Sequence, residues 1–104
     1  MSVKQTMLNH IEDTFNYCLL LVKRKNEDYA VEDNPFKNFE ASTIIDVDPN
    51  KALLLQVVNK ITRISNLLEK EAEIKEDKVT DSIVDAINYL ALLKARLDME
   101  VGKK

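Results

Sequence analysis

Apolar residues recur along the chain in three long runs at a spacing of three and four, the period of an amphipathic helix. In the first run Val3, Met7, Ile11, Phe15, Cys18, Leu19 and Val22 form one stripe and predict a helix over 3–25. It closes on Lys23, Arg24 and Lys25, cations that suit the negative end of a helix dipole. Tyr17, Leu20 and Leu21 fall off the stripe, and a second apolar surface on one helix points to a partner chain. The second run carries Leu53, Leu54, Val57, Ile61, Ile64, Leu67 and Leu68 and predicts a helix from Pro49 to about Lys70. Asp46-Val47-Asp48-Pro49 opens it: Asp48 can cap, and Pro49 fits the first helical position. In the third run Val79, Ile83, Ala86, Ile87, Leu90, Leu93 and Leu97 predict a helix over about 77–99.

The connections read differently. Residues 26–34 are polar and end at Asn34-Pro35, where the proline disfavours the α region for the residue before it. Phe36 and Phe39, three apart and followed by Ile44 and Ile45, predict a short helix or helical turn over 36–43 with both rings turned inward. The charged residues 70–76 either continue the preceding helix or form a solvated break, and the break is the expectation. The last residues, about 100–104, are expected to fray. The whole is expected to be an all-α, compact bundle of three main helices plus a short helical insert. One domain spans 1–104, assembled as a homo-oligomer.

Composition narrows the function. One Gly and two Pro are too few for turn-rich sheet folds. Fifteen Lys+Arg against 18 Asp+Glu leave a net charge of −3, which argues against binding a DNA or RNA duplex. Cys18 is the one cysteine, so no disulfide framework or multi-cysteine zinc site can form within the chain. The longest apolar run, Cys18-Leu19-Leu20-Leu21-Val22, is far short of a membrane span. No signal-peptide core follows the N-terminus, so a cytoplasmic protein is expected.

Candidate chemistry lies on the second and third runs. Asp77, Asp81 and Asp85 are four apart, and Asn88 falls within the same arc of about 80°. Like charges at this spacing repel, and Mg²⁺ would remove the repulsion, since hard cations take carboxylate oxygens. The same acids would also suit a solvated face near a helix N-terminus. Val84, Ala91 and Leu92 lie in or beside the arc, so something is expected to pack there. Lys60 and Arg63, about one turn apart, can bind a phosphate; they can equally snorkel at the core edge or pair with nearby acids. His10 reads as a boundary residue and Cys18 as a small buried hydrophobe. No Ser-His-Asp order or glycine-rich phosphate loop is present.

Four stretches, in order, resemble the nucleotide modification associated domain family of small helical proteins common in phages. They are Lys25-Asn26-Glu27-Asp28-Tyr29; Asn34-Pro35-Phe36-Lys37-Asn38-Phe39; Asn59-Lys60-Ile61-Thr62-Arg63-Ile64; and the run from Asp77 to Tyr89. In the family the last two read approximately Asp-Lys-x-x-Arg and Glu-x-x-x-Asp-Thr-x-x-Asp-x-x-x-Tyr. The likeness covers about residues 23–95. It extends distantly to the MazG-like all-α nucleotide pyrophosphatases, whose clustered acids hold Mg²⁺ against a nucleotide's phosphates. The resemblance implies a phosphorylated nucleotide as ligand, contacted by Lys60 and Arg63. It implies Asp77, Asp81 and Asp85 as metal ligands, with Asp81 and Asp85 catalytic if the protein is an enzyme. It further implies that Tyr29, Phe36, Asn38 and Phe39 help shape a base pocket, for which stacking rings and amides are suited; Asn59 and Asn88 are further ligand-binding candidates.

The departures matter too. Asn59 stands where the family has Asp, Asp77 where it has Glu, Ser82 where it has Thr, and Ala30 where a Gly commonly follows the Tyr. The second run has no Glu-x-x-Glu pair. A two-metal hydrolase needs carboxylates on converging elements, and one helix supplies them here. The expectation is therefore a phage-type protein, in the host cytoplasm, that sequesters a linear or cyclic signalling nucleotide without turnover. An Mg²⁺-dependent nucleotide phosphohydrolase, or an accessory enzyme of nucleotide modification, is one alternative. A ligand-free helical protein–protein adaptor is the other.

Overall fold

A computed structural model describes residues 2–28, 35–70 and 72–102, without the side chains of 26–28, 72–77 and 101–102. It is all-α: helix α1 (Val3–Asp28), helix α2 (Lys37–Glu40) running into a 3₁₀ turn (Ala41–Ile45), helix α3 (Pro49–Leu68) and helix α4 (Ala72–Gly102). No strand occurs among the described residues. Three long helices and a short insert between the first two match the sequence pattern. The chain groups into two compact units, Met1–Asp33 and Asn34–Lys104.

In the first unit α1 begins where Ser2 Oγ accepts from the Gln5 backbone N–H at 3.1 Å, satisfying one of the free amides of the first turn. Its expected stripe is not a buried one. Cys18 is buried and Val22 half-buried, but Val3, Met7, Ile11, Phe15 and Leu19 are exposed. One helix has no second layer of its own against which to bury a stripe.

The second unit is built on α3 and α4. Asp48 caps α3, its carboxylate accepting from the Asn50 N–H at 2.8 Å, and Pro49 takes the first helical position. Leu53, Val57 and Leu67 are the buried side chains of α3. The break expected over 70–76 is narrower: α3 ends at Leu68 and α4 already begins at Ala72. Ala-Glu-Ile-Lys-Glu is a run of good helix formers with an acid in its first turn, so the helix starts early. Asn50 bonds Arg96 while Lys60 pairs with Asp85, so rising numbers on α3 meet falling numbers on α4 and the pair is antiparallel.

The insert folds against this hairpin. Both rings turn inward as expected, Phe36 buried and Phe39 half-buried. Asp46 closes the 3₁₀ turn in the left-handed region, at φ 59°, which a short polar side chain tolerates. The Ser42 hydroxyl then donates to the Val47 carbonyl at 2.7 Å. Ile44 and Ile45 of that turn remain exposed. No helix among the described residues is long and apolar enough to cross a membrane.

Candidate functional site

Beside its apolar stripe, α4 turns a polar seam toward α3. Of the stripe, Val79, Ala86, Ile87 and Leu93 are half-buried and Ile83, Leu90 and Leu97 exposed, while in the seam Ser82 is buried and Asp85, Tyr89 and Arg96 are half-buried. The strip along 82, 85, 89, 92 and 96 faces α3 and the insert, with the acidic arc at its edge. Of the residues expected to meet something beside that arc, Val84 is buried and Leu92 half-buried in the single chain, and Ala91 is exposed.

At mid-height Lys60 Nζ lies 3.1 Å from Asp85 Oδ2. Of the roles open to Lys60, pairing with a nearby acid is the one the structure shows. Arg63, three residues on and about 4.5 Å farther along α3, is exposed and has no ion pair to a described residue. The antiparallel register sets it level with Asp81 and Ser82. Asn59 is exposed on the same side of α3, and Asn88 is half-buried on the same side of α4. The hairpin thus brings Asn59, Lys60, Arg63, Asp81, Asp85 and Asn88 onto one polar flank.

The aromatic residues lie nearer the α3 N-terminus. Phe39 meets Tyr89 edge-on, with ring centroids 6.1 Å apart and an interplanar angle of 87°. The Arg96 guanidinium covers the Phe36 ring at 5.6 Å, so that ring serves the core rather than offering a free stacking face. Asn38 is exposed beside them. Tyr29 lies outside the described residues, and so does the side chain of Asp77, whose backbone belongs to α4.

Arg96 is the residue that the periodic pattern passes over. It donates through Nε to Asn50 Oδ1 at 2.9 Å and through Nη1 to Glu40 Oε1 at 3.1 Å, and Glu100 Oε1 is 3.5 Å from Nε. It ties the insert, the start of α3 and the end of α4 together. The available signal was the repeat of Asp85, Tyr89, Leu92 and Arg96 at intervals of four, three and four, a polar seam beside the apolar stripe.

Among the described residues no group of three His, Cys, Asp or Glu could hold a metal ion. The carboxylates described on this flank are Asp81 and Asp85, and the second is engaged by Lys60. Among the described residues this arrangement offers a guanidinium without an ion pair, a paired ammonium and two amides as donors, beside the carboxylates of Asp81 and Asp85. Elsewhere, His10 is exposed. Burial raises the Cys18 thiol above its ordinary pKa.

No family model, curated protein or solved structure matches the chain.

Proposed function

We propose that the polar flank of the α3–α4 hairpin binds a phosphorylated nucleotide, linear or cyclic, and holds it without turnover in a phage-type homo-oligomer. The observation that carries this reading is Arg63: an exposed guanidinium, with no ion pair to a described residue, on the same flank as Lys60, Asn59 and Asn88. A guanidinium recognises phosphate oxygens in a two-pronged geometry, and the neighbouring amides can read a base or ribose edge. The pairing of Asp85 with Lys60 favours binding over Mg²⁺-dependent hydrolysis, because it removes a carboxylate from a set already short of them.

A calorimetric titration with common mono-, di-, tri- and cyclic nucleotides, with and without Mg²⁺, tests it. Binding with the ligand recovered intact is the expected result. Arg63→Ala should weaken that binding tenfold or more and leave the fold unchanged, since the side chain is exposed. Metal-dependent product formation, lost in EDTA and in Asp81→Asn, would establish the hydrolase instead. A ligand-free adaptor is the second reading, favoured by the exposed apolar side chains of α1, α3 and α4.

A further inference from the structure

We infer that the hairpin pairs with a second copy of itself through the flank opposite Arg63, with α3 antiparallel to the partner's α3 about a two-fold axis. Leu54, Val58 and Ile61 of α3 and Ile83, Leu90 and Leu97 of α4 are each between 40 and 55 % exposed. In right-handed helices packed antiparallel, residues on the trailing side of one contact face and on the trailing side of the other share one side of the pair. These six side chains therefore form one surface, not two.

The surface has the extent of an interface. Six large side chains about half exposed amount to roughly 500–600 Å², the upper end of the largest patch on a typical monomer and most of the ~800 Å² that each partner gives a stable complex. Its α3 half carries no charge, while on α4 Lys94 lies one turn from Leu90 and Leu97 and Glu100 one turn from Leu97. The charged residues of α3 between Lys51 and Glu69 are Lys60 and Arg63, and both stand on the opposite flank.

The charges at its two ends select the occupant. Lys51 and Glu69 lie eighteen residues apart, five helical turns, and so project to the same side of α3 about 27 Å from each other. Both are exposed, and neither has an ion pair to a described residue. In a two-fold contact residue i of one copy meets j of the other and j meets i. A second α3 laid antiparallel across the flank brings each Lys51 to the other copy's Glu69. Opposite charges at the two ends of one apolar face make that face complementary to itself.

Light scattering on the full chain at micromolar concentration should give twice the 11.9 kDa chain mass. Ile61→Glu together with Leu90→Glu should reduce it to a monomer of unchanged helicity by circular dichroism, because both positions are already half exposed. Lys51→Glu should weaken association about tenfold through two symmetric like-charge contacts, and adding Glu69→Lys should restore it. A monomeric native chain overturns the inference, whatever else covers the flank. So does an assembly unmoved by the apolar double substitution, or a charge reversal that its partner change does not rescue. Nucleotide affinity is read separately through Arg63, on the other side of the hairpin.

Discussion

The two helices of the hairpin meet with unlike faces. Helix α3 brings hydrocarbon to the contact: Leu53 is fully buried, and Val57 and Leu67 nearly so. Helix α4 adds to its half-buried apolar side chains a seam of Ser82, Asp85, Tyr89 and Arg96, and leaves Ile83, Leu90 and Leu97 exposed. Dispersion and the hydrophobic effect hold the first face without specifying direction. Hydrogen bonds and an ion pair hold the second, and they fix register, because each must meet a named partner. Among the described residues no buried side-chain polar atom lacks one. The difference implies that α3 dominates stability while α4 dominates the placement of the insert.

The sharpest break in that comparison is Leu53→Ala. The side chain is fully buried, and truncation leaves a cavity that the surrounding helices fill only in part, at a cost of about 2–5 kcal/mol. A small domain has only about 5–15 kcal/mol in hand. Urea unfolding followed by circular dichroism should show the midpoint fall by a large fraction. A loss under about 1 kcal/mol would mean that α3 does not carry the core.

Arg96→Ala strikes the other face. It uncovers the Phe36 ring and leaves Asn50 and Glu40 without this donor, and the expected cost is about 1.5–3 kcal/mol. Arg96→Lys should recover only part of it, because an ammonium cannot fork between two acceptors while stacking on a ring. If Lys restored full stability, the role of Arg96 would be charge alone rather than the joining of three elements.

These two residues also mark what the sequence could reveal. Leu53 belongs to the period that predicts α3, and the Asp48-Pro49 start signal falls where the helix begins, because caps and stripes are local features. Arg96 acts on residues 46 and 56 positions away, and its place in the 85–89–92–96 repeat carries nothing about those partners. On α4 the apolar period marks a stripe that is only partly buried, while side-chain bonds to α3 and the insert come from Asp85 and Arg96 of the seam beside it. Residues 72–76 read as a break because their charge was taken as solvation, although their helix propensity is high. At the candidate site, Lys60, Arg63, Asp81, Asp85 and Asn88 were legible as members of helical faces. That Lys60 would be held by Asp85 and Arg63 left without a described ion-pair partner depends on the register between two helices, which neither helix encodes alone.

The smallest expected effect bears most directly on function. The Lys60 and Asp85 side chains are 27 and 35 % exposed, so solvent screens their attraction and a double-mutant cycle should give a coupling of only about 0.5 kcal/mol. Asp85→Asn should therefore leave the fold almost unchanged. Its consequence for the ligand has a definite sign. Removing the carboxylate frees the Lys60 ammonium and takes a negative charge from the flank, so a bound phosphate should be held about two- to fivefold tighter. A metal-dependent hydrolase predicts the reverse, because Asp85 would then be a ligand whose loss abolishes turnover. Calorimetry on Asp85→Asn with the nucleotide that binds the native chain best separates the two: tighter binding with intact ligand supports sequestration, and weaker, metal-sensitive binding would replace it with catalysis.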